Sequence, residues 1–346
     1  MKYAVLTGNE QFEIREGDLK SKGCAVLQVT HIGVCGTDTS YWKEGERYKG
    51  VVIGHEYSGI VVDPGTNKEL KPGDRVAGYT QNVYNEPCGH CEACLSGDPE
   101  HCTNRKVYTW KGGELGHPGA YSQLTTWFPH SLVKLPDSVS NEEGAMVEPF
   151  AVGLHAIQVS QIKPNDKVLI LGGGIIGMTC AEWARTFGAG EITVSELNPQ
   201  KREIVQGYGV ADHVVAADAP DLPQQLQEIS KGGYDLVLDC VGVPSALDVG
   251  MHALKQEFYM RITAVGLPHV QFPLDYEQLV LKQIILRGSK GHNFDEFKTV
   301  VNAIASGRIS VQKYISRRIK LEQVQQGFEA MKAARGLDTK VIIEVE

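Results

Sequence analysis

The sequence predicts an α/β protein in two parts, a β-rich part and a doubly wound parallel sheet, on three observations. Up to Phe150, short β-like runs alternate with Gly, Pro and Asp turns. Beyond it, strand and helix signals alternate, as they do where helices cover both faces of a parallel sheet. Within that second part, an apolar run ends in a glycine cluster that opens a helix. Many short strands followed by a βαβ pattern point to two architectures in one chain.

The glycine cluster organises the second part. Residues 168–171 (Val-Leu-Ile-Leu) read as a buried parallel strand. Gly172, Gly174 and Gly177 then fit G-x-G-x-x-G, and residues 178–187 have helical spacing. Each glycine serves a physical purpose, in turn a tight turn, close backbone approach to a pyrophosphate, and close packing of helix on strand. Exposed N–H groups at the helix start favour phosphate. A turn that needs positive φ would give the same letters, so the motif needs support. Residues 192–196 supply it, as a second strand ending in Glu196 at the distance where an acid meets the ribose hydroxyls. An acid there repels a 2′-phosphate, so NAD is favoured over NADP, although Lys201 and Arg202 lie close by.

The β-rich part begins with residues 3–6, 25–30 and 58–62 as strands, and residues 71–77 read as a turn feeding another. In the second part, residues 153–159 look helical, and residues 163–166 form a turn before the glycine strand. Residues 234–241, 261–267 and 283–288 are the later strands, each ending in small or glycine residues. Ligands bind outside the carboxyl ends of such strands. Residues 340–345 close the chain as a strand that returns to the first part.

Composition narrows the function classes. With 346 residues, 42% hydrophobic and 22% charged, the chain is an ordinary globular protein of two-domain length. A net charge of −8 with no Lys/Arg run argues against nucleic-acid and anionic-membrane partners. No apolar run is long enough to span a bilayer, and the start reads as a strand rather than a signal peptide, so the expectation is a cytoplasmic protein.

The eight cysteines sharpen the reading. Cys88, Cys91, Cys94 and Cys102 fall in one short loop as C-x-x-C-x-x-C-x7-C. Four thiolates close a tetrahedron with no open position, so a structural zinc is expected, with two disulfides or an iron–sulfur site as the alternatives. Cys24, Cys180 and Cys240 sit alone in apolar surroundings and read as core. A second set is spread through the first part: Cys35 with Thr37 and Asp38 on a loop, His55-Glu56, and Glu148. Cys35, His55 and either Glu56 or Glu148 would give a catalytic zinc its three ligands and leave a fourth position for water or substrate. Seen singly, each of these residues has an ordinary structural explanation.

Taken together and in this order, the motifs resemble the zinc-dependent medium-chain dehydrogenases, in the branch of sorbitol, threonine and related polyol dehydrogenases. The resemblance covers essentially the whole chain: Val-Cys-Gly-Thr-Asp at 34–38, Gly-His-Glu at 54–56, the four-cysteine lobe at 88–102, Glu148-Pro149 and the dinucleotide fold. It implies a GroES-like catalytic domain over residues 1–152, a Rossmann domain over 153–288, and a return of 289–346 to the catalytic domain. It implies two zinc ions per chain and NAD. Cys35 and His55 become catalytic-zinc ligands, with Glu56 third, water fourth and Glu148 close by; in other branches the Glu148 position ligates. Thr37 matches a proton-relaying hydroxyl and Asp38 the acceptor that orients His55. Ile176, Glu196, Lys201 and Val265, Gly266 and Leu267 match dinucleotide contacts, and Tyr41 a substrate-side tyrosine.

Two departures bear on the substrate. Gly291-His292 stands where sorbitol dehydrogenases carry an Arg-Tyr pair, which leaves Lys290 or His292 to contact substrate or a phosphate. Residues 108–117 also differ from the usual turn before Tyr121. The expected reaction is hydride transfer between NAD and the secondary alcohol of a polyol or sugar derivative, in a homotetramer or homodimer with a small-molecule substrate. An L-threonine 3-dehydrogenase shares these motifs, and a non-catalytic NAD-binding protein on the same fold is the reading from another class.

Overall fold

The computed structural model describes residues 1–19, 24–79, 85–86, 90–96, 102–104, 106–107, 119–268, 270–271 and 273–346. The chain divides into two compact units, Met1–Glu148 with Asn293–Glu346, and Pro149–His292. The middle unit thus starts four residues before the expected 153 and ends four after 288. Helix Val147–Ser160, which begins six residues before the expected 153, straddles the first of these boundaries.

The first unit is built on a seven-stranded sheet. Its long strand Ala25–Gly33 pairs along one edge with Glu56–Asp63. Along the other edge it meets Leu124–Trp127 through its first residues and the C-terminal strand Lys340–Glu344 through its last. Ala25, Leu27 and Val29 are buried while Gln28 is exposed, the period-two pattern of a strand with one face on a core. That core gathers Trp42, Tyr57, Tyr121, Trp127 and Phe328, with Tyr57 set edge-on to Trp127 at 4.6 Å. A hairpin, Lys2–Gly8 with Gln11–Glu16, packs its Leu6 and Val5 into the same cluster.

The second unit holds six parallel strands. Their spatial order is His213–Ala216, Glu191–Glu196, Lys167–Leu171, Leu236–Asp239, Arg261–Ala264 and Ile285–Gly288. Numbered along the chain this is 3-2-1-4-5-6, the doubly wound order, with its switch point beside Lys167–Leu171. Strands Lys167–Leu171 and Leu236–Asp239 are buried almost throughout because helices cover both faces. The strands expected at 234–241 and 261–267 are shorter, since after Asp239 and Ala264 the chain turns through Gly242 and Gly266. No helix among the described residues is long and apolar enough to cross a membrane.

Candidate metal centre and cofactor site

Cys35 lies two residues beyond the end of strand Ala25–Gly33 and caps helix Gly36–Lys43. The sequence suggests a loop for Cys35, Thr37 and Asp38; they form a helix start instead. Asp38 makes it one: its Oδ2 accepts the Cys35 amide at 3.0 Å, satisfying a donor that a helix N-terminus otherwise leaves open. The segment Gly-Thr-Asp-Thr-Ser-Tyr-Trp-Lys carries no apolar repeat, so its periodicity gives no helix signal.

His55 and Glu56 stand where the chain bends into strand Glu56–Asp63. The bend needs Gly54, whose φ is +104° and whose Cβ would lie 2.4 Å from Tyr121 Cδ1. One ligand atom each from Cys35, His55 and Glu56 falls within 4.8 Å of the other two. Glu56 is 1% exposed, and a Cβ on Gly33 would stand 2.2 Å from its Oε2, so the strand opposite leaves room for the carboxylate only as glycine. Sulfur, imidazole and carboxylate converging from separate elements fit a three-ligand zinc with its fourth position open.

The surroundings orient these groups. Asp38 is fully buried, and its Oδ1 lies 3.6 Å from His55 Nδ1. Tyr121, also fully buried, donates its hydroxyl to Asp38 Oδ2 at 3.1 Å. Burial by itself would lower the pKa of His55, but Cys35 and Asp38 outweigh it and raise the imidazole well above its ordinary value. Burial raises the Glu56 carboxyl, against the pull of Lys340, and nearby Glu148 adds to the rise. Glu148 is itself buried at the first turn of helix Val147–Ser160, outside the group of three.

Thr37 is exposed in the first turn of helix Gly36–Lys43, and Tyr41, one turn on, is half-buried against Tyr48 at 4.4 Å between ring centroids. Burial raises the Tyr41 hydroxyl pKa, with Tyr48, Asp38 and Cys35 adding to it and His55 opposing. Lys340 is a residue that sequence reasoning misses. Its Nζ donates to Glu56 Oε2 at 2.5 Å and to the Val34 carbonyl at 3.0 Å. A charge at the head of an apolar strand reads as a surface residue, so nothing local marks it. Tyr121 reads only as part of a strand, because an aromatic there looks like ordinary core.

In the cysteine lobe, Cys91 caps the short helix Glu92–Leu95, which brings Cys91 Sγ and Cys94 Sγ to 3.5 Å. The sulfurs of Cys91, Cys94 and Cys102 all lie within 4.8 Å of one another. Zinc–sulfur distances of about 2.3 Å give a tetrahedron edge of about 3.8 Å, so the three thiols fit one zinc. Cys88, Gly89, Gly97, Pro99 and His101 lie outside the described residues. Cys180 and Cys240 are not isolated from each other: their sulfurs are 4.0 Å apart, and that contact with burial raises the Cys240 thiol well above its ordinary pKa.

In the second unit the three glycines occupy three different environments. Gly172 has φ +99°. A Cβ on Gly177 would lie 2.0 Å from the Gly172 carbonyl oxygen, whereas one on Gly174 would meet nothing within 4 Å. Gly174 caps helix Ile175–Thr186 and Ile176 sits half-buried in its first turn. Glu196 ends strand Glu191–Glu196 with its Oε2 accepting the Gly173 amide and its Oε1 the Asn198 amide, both at 2.9 Å. A cavity of about 300 Å³ opens here, lined by Gly172, Ser195, Glu196, Val241 and Val243 among others. It lies at the carboxyl ends of the strands where their order reverses, the place such sheets bind ligands. Lys201 is buried in helix Pro199–Gly207. The Val265 and Gly266 amides donate to the Asp239 carbonyl at 2.8 and 2.9 Å, and Leu267 beyond them is 71% exposed. His292, the last residue of this unit, is buried. Val241 and Val243 carry no signal in the sequence, because apolar residues after a strand read as core.

Residues 21–137 match the alcohol dehydrogenase GroES-like domain, and residues 176–306 match the zinc-binding dehydrogenase domain. The chain belongs to the zinc-binding medium-chain alcohol dehydrogenases. It is therefore an oxidoreductase acting on CH–OH donors, with a GroES-like unit and a Rossmann-like parallel sheet. The dehydrogenase is 28% identical over 353 residues to a probable D-xylulose reductase A of Aspergillus clavatus, covering 97% of this chain and 95% of that protein. Among solved structures it resembles an alcohol dehydrogenase from Thermus sp. ATN1, with TM-score 0.87 and 24% identity over the full length of both. It also resembles galactitol-1-phosphate dehydrogenase from Escherichia coli, with TM-score 0.86 and 23% identity over 99% of this chain and 100% of that one.

Proposed function

We propose that this protein is a zinc-dependent dehydrogenase that transfers a hydride between NAD and the secondary alcohol of a polyol or sugar derivative, giving the ketone. The observation that carries the reading is the convergence of Cys35, His55 and Glu56 within 4.8 Å, each on its own structural support. The D-xylulose reductase name of the relative supports a polyol or sugar as substrate class.

Zinc, when bound, supplies a Lewis acid for the alcohol oxygen, and NAD supplies the hydride acceptor. The protein's own part is to hold and orient. Cys35, His55 and Glu56 would hold the catalytic zinc, with Glu148 as a nearby carboxylate. Asp38 Oδ1 lies 3.6 Å from His55 Nδ1 and would orient the ring toward the metal. Thr37, exposed two residues from Cys35, would pass the alcohol proton to solvent. Tyr41 and His292 are proposed as substrate contacts. Cys88, Cys91, Cys94 and Cys102 would hold a second, structural zinc. Gly172, Gly174, Ile176, Gly177, Lys201, Val265, Gly266 and Leu267 would contact the dinucleotide. Glu196, held as a fixed acceptor by two amides, would take the ribose hydroxyls and reject a 2′-phosphate. The reading extends to a cytoplasmic homodimer or homotetramer, and the exposed apolar side chains of Val270, Tyr276 and Leu281 support a subunit contact.

Metal analysis with turnover on a polyol, sugar-acid, polyol-phosphate and threonine panel tests this. Two zincs per chain, one of them lost with activity in Cys35→Ser, is the expected result. Full activity in Cys35→Ser would refute the zinc mechanism, and turnover of threonine alone would move the substrate class.

A further inference from the structure

Lys340 is separated from Glu56 by 284 residues, yet the two make a buried ion pair whose side chains are 1% and 2% exposed. The C-terminal strand that Lys340 opens runs parallel to Ile315–Lys320 and pairs with the last residues of Ala25–Gly33. Burying an ammonium carries a large desolvation cost, and well-packed apolar residues commonly stabilise a core as well as a buried ion pair does. Fold stability therefore does not account for a lysine at this position.

Its two acceptors do. The Val34 carbonyl immediately precedes Cys35, and Glu56 immediately follows His55. One ammonium thus ties the backbone at the first proposed zinc ligand to the carboxylate of the third. Around Lys340 stand three potential anions, Cys35, Glu56 and Glu148, with Asp38 a fourth beside His55. A metal ion there would otherwise meet an excess of negative charge, which tightens binding and makes the metal less electrophilic toward an alcohol oxygen.

We infer that Lys340 is a positioning residue of the metal centre, which commits one oxygen of Glu56 to an ion pair, leaves only the other for zinc, and so keeps the zinc electrophilic. This rests on the reading of Cys35, His55 and Glu56 as the zinc site. It implies that Lys340 weakens zinc binding while promoting turnover, the opposite of what a purely structural lysine would do.

The test uses the full chain with Lys340→Met, Lys340→Gln and Lys340→Arg. Zinc affinity is measured by chelator competition on metal-depleted protein, cobalt(II) replaces zinc for visible spectra, and kcat and KM follow on the zinc-loaded enzyme. Removing one charge a few ångströms from a divalent ion is expected to tighten zinc about tenfold or more in the Met and Gln variants. The cobalt ligand-field bands should shift in both, kcat should fall with little change in the KM for NAD, and the Arg variant should stay near wild type. Uncharged variants that bind zinc as wild type does, or more weakly, with unshifted cobalt bands would overturn the inference. Should neither uncharged variant fold while Glu56→Gln/Lys340→Met does, the lysine serves only to neutralise Glu56 for folding, and the inference is equally overturned. Cys35→Ser separates the two layers. If it keeps both zincs, the site assignment fails; if it loses one while the Lys340 variants match wild type, only the role of Lys340 fails.

Discussion

Alanine at two glycines of the same turn should have opposite consequences. At Gly177, the added Cβ lies 2.0 Å from the Gly172 carbonyl oxygen and 3.3 Å from Ile170 Cγ2. An ordinary carbon–oxygen contact needs about 3.3 Å, so helix Ile175–Thr186 must back away from strand Lys167–Leu171 by about 1 Å. Overpacking against backbone costs about 3 kcal/mol, and alanine's better helix propensity returns about 1 kcal/mol, for a net loss near 2 kcal/mol. In a domain of this size that lowers the melting temperature by about 4–8 °C. At Gly174 the Cβ meets nothing within 4 Å and φ is −71°, which any residue adopts. Gly174→Ala should therefore cost no more than about 1 kcal/mol as a poorer helix cap. Its Cβ points instead into the space proposed for the pyrophosphate, so NADH affinity should fall about ten- to a hundredfold, equivalent to about 1–3 kcal/mol. Calorimetric melting and NADH fluorescence titration of both variants make the comparison. A Gly177→Ala protein of wild-type stability, or a Gly174→Ala protein that binds NADH as wild type does, would show that the packing and approach roles are wrongly divided.

Two further outcomes follow from the electrostatics. Asp166 holds the turn before strand Lys167–Leu171, accepting the Lys163 amide at 2.6 Å and Arg261 at 2.9 Å, with both charged side chains 7% exposed. Asp166→Ala leaves that guanidinium buried beside no carboxylate and should cost about 3–5 kcal/mol in urea unfolding; a loss below about 1 kcal/mol would show that the pair is dispensable. Asp74 is held below its ordinary pKa of 3.8 by Lys134 at 2.7 Å and by the Lys71 amide. A lowered folded pKa stabilises the protein fully above 3.8 and loses that stabilisation as pH falls through the folded value. Acid unfolding of Asp74→Asn should lack that component, and acid curves parallel to wild type would contradict it.

Much of the architecture was legible because it rests on local rules. The alternation of Ala25, Leu27 and Val29, the unbroken apolar run before Gly172, and an acid at the end of the next strand each state their structure over a few residues. The same holds for Cys91 and Cys94, whose spacing fits one helical turn and brings the sulfurs to 3.5 Å. Helix Gly36–Lys43 escaped because capping by Asp38, not amphipathic periodicity, defines it.

By itself, then, the sequence determined the two architectures, the glycine turn with its acid, and the residue types able to bind metal. Only the tertiary structure decided which groups meet. It set Glu56 rather than Glu148 within 4.8 Å of Cys35 and His55, placed Tyr121 behind Asp38, and brought Lys340 onto Glu56. The physical reason is that periodicity and capping act over a few residues along the chain, whereas ligand geometry and buried charge pairing depend on distances between strands far apart in it. A buried lysine and a surface lysine are the same letter until the sheet that surrounds one of them has formed.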